Sequence, residues 1–520
     1  MPDAAVNIND PQKARDELDR ALQTGSPDAI ARAAVANIWP LFSFHYKRLI
    51  FAVEALPSSV LERYPVLRVL HPMTPVLARG ARPYKPLIYQ DDARAMSADE
   101  LDMLTVVQMI AFRFSGDVAA ALIYARRLEE RILKVPSESR ERPDGPLWYY
   151  HLQIGVTLLS AGDTTRALRE FATARQLAPL CGQPDAVRLA LARAALSHAA
   201  RGSCAEASRT LAEARACAEP GPPHAAAIAA TEAAAAALVE VEHVPAEGAL
   251  TVQTVEPTDS IEVSWSFALL ARVRDHLARQ RPHEALEVLC LARDSHPAQH
   301  GSFAADVVTA GLIETSLALG DLPAASDVSR RSSGSGALTG LARVRLHLAE
   351  GRFANAVHAL RMMLADTDLG PGHRAEANVL LAWAEFAQDG RVHPQLATRI
   401  RHLSRDASSR RILAGMPRQL VEHLAVSDPP EAGEDFRAAL RGLTHPEMVE
   451  RPELTAGELR VLNALAEHDT TADIASTFHV SPNTVKSQLA SVYRKLGCSK
   501  RDDAVRIAAR LNLLAPPGDE

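Results

Sequence analysis

Residues 481–497 read SPNTVKSQLASVYRKLG, the pattern of one amphipathic helix with both ends marked. Four apolar residues recur at intervals of four, three and four, and therefore share one helical face: Val485, Leu489, Val492 and Leu496. Ser481 suits the N-cap, Pro482 the first helical position and Gly497 the C-terminal stop. The stretch predicts a helix over 482–496 with one buried and one exposed side.

The side opposite the apolar stripe is small, polar and basic. Between Ile474 and Arg501 the sequence has five basic residues and no acidic one. Such a face fits a major groove about 12 Å wide, and basic residues at its end can contact phosphates. We therefore expect these residues to contact DNA: Ser481, Asn483, Thr484, Lys486, Ser487, Ala490, Arg494, Lys495, Lys500 and Arg501.

Three more helices are predicted around this one. Thr455 and Glu458 have the spacing of a capping box that opens the first helix, and a short second helix follows at 471–478. Ser499 and Asp502 form a similar pair before a fourth helix that reaches residue 514. The segment 451–514 is thus predicted to be a four-helix domain.

This segment resembles a LuxR-type DNA-binding domain. The matching residues are Leu454-Thr455, Glu458, Val461-Leu462, Asp473-Ile474-Ala475, Val480-Ser481, Thr484-Val485-Lys486, Tyr493-Arg494-Lys495-Leu496-Gly497, Arg501 and Ala504-Val505. The resemblance implies a helix-turn-helix fold whose third helix enters the major groove, with Lys486, Ser487 and Ala490 facing bases, and a fourth helix that contributes to a dimer on DNA. Gln488, where the family often has His, and residues 469–473 depart from the family pattern, and we expect both at exposed positions.

A second pattern recurs before this domain: a glycine followed five positions later by an alanine. The copies are Gly116/Ala121, Gly162/Ala167, Gly202/Ala207, Gly320/Ala325 and Gly351/Ala356, with a glycine-less copy at Gln280/Ala285. A glycine allows a positive-φ turn between two helices, and the alanine lets them approach closely. Because each pair needs a neighbour to cover its apolar face, the copies predict an α-solenoid over 101–426 that resembles tetratricopeptide-like repeats. The alternative is a plain helical bundle with coincidental Gly/Ala spacing.

The remaining segments are less distinctive. Residues 1–100 are predicted to form an N-terminal helical region, in which Leu56-Pro57, Leu61 and Tyr64-Pro65 resemble large LuxR-family regulators related to the maltose-regulon activator. Those regulators often carry an ATPase, but this sequence has no Gly-Lys pair, which a phosphate-binding loop requires. Residues 427–450, which include the run Ser-Asp-Pro-Pro, are predicted to be a linker with one short helix around 436–441.

Composition narrows the classes of protein. Aromatic residues make up only 5% of the chain, which favours an all-α fold. The formal net charge is −6, so any nucleic-acid site must be a local basic patch. The five cysteines are widely spaced, which is typical of free thiols in a reducing cytosol. The first fifteen residues lack the order of a signal peptide, and no long uncharged apolar stretch occurs. We expect a cytoplasmic protein without a membrane partner.

These observations favour a sequence-specific transcription regulator that binds double-stranded DNA as a homodimer. The implied further partners are RNA polymerase and an unidentified small-molecule or protein effector of the helical repeats. No catalytic, metal-binding or cofactor-binding motif stands out, so we expect neither enzymatic activity nor a cofactor. The alternative is an interaction scaffold whose C-terminal module docks to protein rather than to DNA.

Overall fold

The computed structural model describes residues 10–70, 96–137, 140, 142, 145–221, 224–243, 264–295, 301–332, 336–426, 430–447, 454–510 and 513–514. Across these ranges the chain forms helices and their connections, with no β-strand. The predicted all-α class is therefore confirmed.

Six helices lie in the described part of the N-terminal region, residues 10–70. They are α1 (Pro11–Thr24), α2 (Pro27–Ala36), α3 (Ile38–Phe44), α4 (Tyr46–Glu54), α5 (Ser58–Leu61) and α6 (Pro65–Leu70). Their buried residues belong to the same hydrophobic cluster as the helices that follow, and the ring of Trp39 lies 5.8 Å from that of Tyr149. The N-terminal helices thus pack directly against the body of the protein. Their predicted relation to large LuxR-family regulators stays a prediction.

Seven helices begin the body in the described ranges between residues 96 and 243. They are α7 (Ala98–Phe114), α8 (Val118–Lys134), α9 (Leu147–Ser160), α10 (Thr164–Leu177), α11 (Ala186–Ala200), α12 (Cys204–Ala216) and α13 (Ala225–Glu242).

Eleven further helices follow in the described part of the body. They are α14 (Ser264–Ala278), α15 (Pro282–Ser295), α16 (Phe303–Ala318), α17 (Leu322–Arg331), α18 (Ala337–Ala349), α19 (Phe353–Ala365), α20 (Pro371–Asp389), α21 (Pro394–Leu403), α22 (Arg410–Ala414), α23 (Arg418–Leu424) and α24 (Pro430–Ala439). Short 3₁₀ turns occur at Ala178–Leu180 and Ala407–Ser409.

The Gly/Ala copies mark the turns between paired helices. Positive φ angles occur at all six predicted turn positions: Gly116, Gly162, Gly202, Gln280, Gly320 and Gly351. In each copy the N–H of the next residue donates to the carbonyl five residues before it, for example from Asp117 to Phe112 at 3.0 Å. This is the Schellman motif, which reverses the chain at a helix end.

The alanine of each copy provides close packing between the two helices. The side chains of Ala121, Ala167, Ala207, Ala285, Ala325 and Ala356 are all completely buried. A larger side chain at these positions would force the paired helices apart. The helical-repeat prediction is confirmed at each copy, including the one without glycine.

The repeats bring turns that are distant in sequence into contact. The amide of Gly372, at the start of α20, donates to the carbonyl of Arg201 at the end of α11, with a distance of 3.0 Å. A Cβ added to Gly202 would lie 2.5 Å from the Cα of Gly372, so the two backbones touch. The chain therefore curves until its middle and later repeats meet.

Part of the segment predicted as a linker is helical. Phe436 and Leu440, in and just after α24, are buried in a cluster with residues of α20 to α23. The amide of Arg418 donates to the carbonyl of Pro446 at 2.9 Å, which ties the segment after α24 to the start of α23. Residues 427–429 and 448–450 lie outside the described residues, and the domain limits stay predictions.

The C-terminal domain has its own hydrophobic core. Its helices are α25 (Ala456–Glu467), α26 (Thr471–Thr477), α27 (Pro482–Leu496) and α28 (Arg501–Arg510). The core residues come only from these helices, and their central members are Val461, Leu462, Leu465, Ile474, Val485, Leu489 and Val492. The four predicted helices are therefore present and enclose one small core.

Candidate DNA-binding surface

Helix α27 has the ends that its sequence predicts. The Oγ of Ser481 accepts a hydrogen bond from the amide of Thr484 at 3.1 Å, and Pro482 occupies the first helical position. Gly497 adopts a φ of 66° at the C-cap, where a left-handed residue stops the helix. The predicted apolar stripe is buried along its whole length: Val485, Leu489, Val492 and Leu496.

The turn before α27 uses a residue that the sequence did not single out. His479 has a φ of 53°, which is uncommon outside glycine. The amide of Val480 donates to the carbonyl of Ala475 at 3.0 Å, so α26 ends in the same type of reversal as the repeats. This reversal sets the angle between α26 and α27. A histidine is a much weaker sequence signal for such a turn than a glycine.

The solvent-facing side of α27 holds most of the predicted contact residues. Those exposed are Ser481, Asn483, Thr484, Lys486, Ser487, Ala490 and Arg494, and Lys500 is exposed just beyond the helix. No acidic residue lies on α27 itself. We call these eight residues the basic face. It presents three cations, with small side chains between them, to an approaching polyanion.

Lys495 is directed to the inside of the domain rather than to its basic face. Its Nζ lies 2.7 Å from Oε2 of Glu458 on α25, and its side chain is largely buried. Hydrogen bonds from Lys495, from Ser491 and from the backbone amide of Thr455 lower the pKa of Glu458 to about 2. The ion pair fixes α27 against the start of α25.

Arg501 is also engaged within the domain. Its guanidinium donates to the carbonyl oxygens of Leu465, His468 and Asp469, at and beyond the end of α25. A cation there satisfies carbonyls that the helix leaves without partners. Arg501 thus joins α28 to α25. DNA contact by Lys495 and Arg501 stays a prediction.

Gln488 does not occupy the fully exposed position expected from the sequence. It is half-buried, and a Cβ added to Gly457 would lie only 2.9 Å from its Nε2. Gly457 on α25 thus lies against the end of the Gln488 side chain on α27, where the two helices approach each other. Gln488, which departs from the family pattern, thus packs between two helices. Asp469 and Asp473, in the other departing segment, are exposed as expected.

The capping box predicted for α25 is present, and the one predicted for α28 at Ser499 and Asp502 stays a prediction. Thr455 accepts from the amide of Glu458, and Glu458 accepts from the amide of Thr455, so the first box is present. Helix α28 begins at Arg501, and the amide of Ala504 donates to the carbonyl of Lys500 at 3.0 Å. The helix is described as far as Arg510 and residues 511–512 lie outside the described residues, but Leu513 and Leu514 are not helical, so the predicted helix end at residue 514 is wrong.

Two other kinds of site are absent from the described ranges. No group of three or more His, Cys, Asp or Glu side chains there is arranged to hold a metal ion. No helix in those ranges is long and apolar enough to cross a membrane.

Comparison with known proteins agrees with this geometry. Residues 452–508 match the family of bacterial regulatory proteins, luxR family. The chain is 44% identical over 62 residues to the transcriptional regulatory protein YdfI of Bacillus subtilis (strain 168). It is 43% identical over 63 residues to the probable transcriptional regulatory protein NarL of Mycobacterium tuberculosis (strain CDC 1551 / Oshkosh).

Each of these alignments covers 12% of this chain and 29% of the relative's length. The similarity is thus that of a single domain and does not extend to the helical repeats. The family match, the four helices and their separate core all coincide in one segment. Residues 452–508 are therefore a LuxR-type helix-turn-helix domain.

Proposed function

We propose that this protein is a sequence-specific DNA-binding transcription regulator, with α27 in the major groove. The observation that carries the proposal is the basic face, which is exposed and free of acidic side chains along α27. A helix with small polar residues fits the groove, and cations at its edge neutralise phosphates. The names of the two relatives, both transcriptional regulatory proteins, support the same function.

The residues of the basic face fall into two groups, one that we assign to base edges and one that we assign to phosphates. Asn483, Ser487, Ala490 and Arg494 follow one another at intervals of four, three and four, so they form one line on the helix. We assign Lys486 and Ser487 to the base edges, and Arg494 and Lys500 to the phosphates. Ala490 offers only a methyl group, which suits contact with a thymine methyl.

Lys495 and Arg501 have a different role in this proposal. Both hold the domain together through the contacts with Glu458 and with the end of α25. They set the height and tilt of α27 relative to the other helices. We therefore regard them as positioning residues rather than as direct DNA contacts.

The finer parts of the proposal concern partners. We propose that the protein binds a two-fold operator as a homodimer in the cytoplasm, and that α28 contributes to the dimer. The helical repeats would receive an effector, and RNA polymerase would be the partner at the promoter. The protein would act by binding and not by catalysis.

The proposal is tested by selecting bound duplexes from fragmented genomic DNA with the full-length protein, and then measuring affinity by fluorescence anisotropy. Lys486→Glu should weaken binding about 100-fold or more, because a base contact worth about 1–3 kcal/mol is lost and a like charge faces the phosphates. Arg361→Glu, an exposed position on α19, is the control for the same change in net charge and should leave affinity unchanged.

Salt dependence distinguishes this function from that of an interaction scaffold. Each phosphate that the protein neutralises should contribute about −0.9 to the slope of log affinity against log salt. A slope near zero, or equal affinity of Lys486→Glu and the unaltered protein, would exclude α27 as the DNA-reading helix. The C-terminal domain would then have to dock to a protein.

A further inference from the structure

A group of exposed arginines lies at the C-terminal end of the helical body. Between residues 391 and 421 the sequence has seven arginines and a single acidic residue, Asp406. The chain as a whole has a formal net charge of −6, so this excess of positive charge is local. A concentration of one sign of charge creates a field that attracts a partner of the opposite sign.

Four arginines of this region are exposed and form no ion pair with any described residue. Arg399 lies on α21, and Arg405 lies two residues after the end of that helix. Arg437 lies on α24, and Arg441 lies two residues after the end of that helix. We call these four residues the arginine surface.

Packing brings the two halves of the arginine surface together. Helices α21 and α24 share one hydrophobic cluster, in which Ile400 and Phe436 are buried. The guanidinium of Arg410, at the start of α22, donates to the carbonyl of Arg441 at 3.2 Å. The chain after α24 therefore lies against the start of α22, five residues beyond Arg405. The arginines that follow α21 and α24 thus lie in the same region of the body.

The acidic residues of this region leave the arginine surface unpaired. Asp406 accepts a hydrogen bond from the amide of Ser408 at 2.9 Å, and Glu422 pairs with Arg418 at 3.1 Å. Between residues 431 and 447 there are four exposed acids, Glu431, Glu434, Asp435 and Glu447. None of these four forms an ion pair with a described arginine. The cations are therefore available to an external anion.

The chain that leads to the DNA-binding domain leaves the body in this same region. The carbonyl of Pro446 accepts from the amide of Arg418 at 2.9 Å, and Nδ1 of His445 lies 3.2 Å from the carbonyl oxygen of Met416. The described chain stops at residue 447 and resumes at residue 454. Seven residues of chain span at most about 25 Å, which is less than one turn of B-DNA at about 34 Å. The DNA-binding domain therefore begins close to the arginine surface.

We propose that the arginine surface binds phosphates of the DNA that flanks the operator. Duplex DNA carries one negative charge per about 1.7 Å of its length, and each phosphate that a cation neutralises releases counterions. The planar fork of an arginine matches a phosphate group. The inference rests on the proposed function, because α27 is the element that brings DNA to the body. The flanking contacts add affinity without sequence preference, since phosphates carry no sequence information.

The experiment compares two duplexes that contain the operator selected with the full-length protein. The short duplex has about 20 bp, enough for two half-sites one helical turn apart, and the long duplex adds about 20 bp on each side. Fluorescence anisotropy at several salt concentrations gives the affinity and the salt slope for each. We expect the long duplex to bind about tenfold more tightly at about 0.1 M salt, with a slope that is steeper by about 0.9 for each arginine that contacts a phosphate.

Paired substitutions locate the contact. Arg399→Gln combined with Arg405→Gln should bind the short duplex as the unaltered protein does, but should lose most of the gain from the long duplex and about 1.8 of its slope. Arg437→Gln combined with Arg441→Gln tests the other half of the surface and should act in the same way.

A matched control removes the same charge elsewhere. Arg32→Gln combined with Arg361→Gln changes two exposed positions, on α2 and α19, and should keep the whole gain. The gain should also persist when the flanks are replaced by an unrelated sequence, because the contacts are to phosphates.

The outcomes separate this inference from the proposed function. Unchanged affinity for the short duplex shows that a paired variant is folded and that α27 still binds the operator. The inference is wrong if the unaltered protein gains nothing from the long duplex, if both paired variants keep the gain, or if the control loses it equally. In those cases the proposed function stands. Failure of the unaltered protein to bind either duplex would refute both proposals.

Discussion

The Nζ of Lys495 lies 2.7 Å from Oε2 of Glu458, and this pair joins the DNA-reading helix to the first helix of its domain. Glu458 also closes the capping box with Thr455, so one carboxylate stabilises both a helix start and a contact between helices. Because the domain has few core residues, such a contact determines where α27 lies as well as how firmly it is held.

The first prediction concerns acid. The folded-state pKa of Glu458 is about 2, below its ordinary value of 4.5, so the ionised carboxylate stabilises the folded domain. This contribution is complete above about pH 4.5 and is lost as the pH falls toward 2. The rate of hydrogen exchange in peptides that cover α25 and α27, corrected for intrinsic rates, should therefore increase as the pH falls from about 4.5 toward 2. Glu458→Gln should remove this pH dependence.

Glu467→Gln is the matched control, because Glu467 is exposed on the same helix. It should leave the exchange profile of α25 and α27 as in the unaltered protein. An acid transition that persists in Glu458→Gln would mean that another group causes it.

The second prediction separates positioning from contact. Lys495→Met should raise exchange in α27, because it leaves Glu458 without its cation. Lys500→Met should leave exchange unchanged, since Lys500 is exposed, but should reduce the salt slope of DNA binding by about 0.9. If Lys495→Met lowered DNA affinity with unaltered exchange, Lys495 would be a contact residue instead.

Local features of this fold could be predicted from the sequence, because their causes lie within a few residues. The Schellman turns need only a residue that tolerates positive φ and an alanine one turn later, and all six copies have these turns. Helix α27 likewise carries its cap, its apolar stripe and its stop within 17 residues, from 481 to 497.

Long-range contacts could not be predicted in the same way. A run of basic residues does not reveal that Lys495 pairs with a carboxylate 37 positions away, or that Arg501 donates to carbonyls at the end of α25. The approach of Gly202 to Gly372 depends on the summed curvature of several repeats.

The third prediction tests this curvature. Gly202→Ala places a Cβ 2.5 Å from the Cα of Gly372, at a residue whose φ of 76° already disfavours alanine. Gly390→Ala is the control, because Gly390 has a φ of 66° but no neighbour within 4 Å of an added Cβ. The control should cost only the backbone term, about 1–2 kcal/mol. Gly202→Ala should lower the midpoint of thermal unfolding further, and equal shifts would show that the contact contributes nothing.

The last prediction concerns a buried network of charges in the body. Arg411, on α22, has its Nε 3.0 and 2.9 Å from the two carboxylate oxygens of Glu242 on α13, and its NH2 3.1 Å from Oε2 of Glu376 on α20. Arg274 bonds Glu242 at 2.8 Å, and Arg345 bonds Glu376 at 2.6 Å. Burial alone would raise the pKa of Glu376, but Arg345 and Arg411 hold it well below its ordinary value.

Arg411 is the group that both carboxylates share, so its removal should be costly. Arg411→Met leaves two buried carboxylates with one cation each, and breaking a buried pair costs about 3–5 kcal/mol. Arg411→Lys retains the charge but cannot reach both carboxylates with a planar fork, so it should lower the free energy of unfolding less than Arg411→Met does. Arg418→Met removes an exposed pair with Glu422 and should cost about 0.5 kcal/mol or less. Thermal unfolding should rank the three variants in that order, and an Arg411→Met protein as stable as Arg418→Met would show that the network does not hold these helices together.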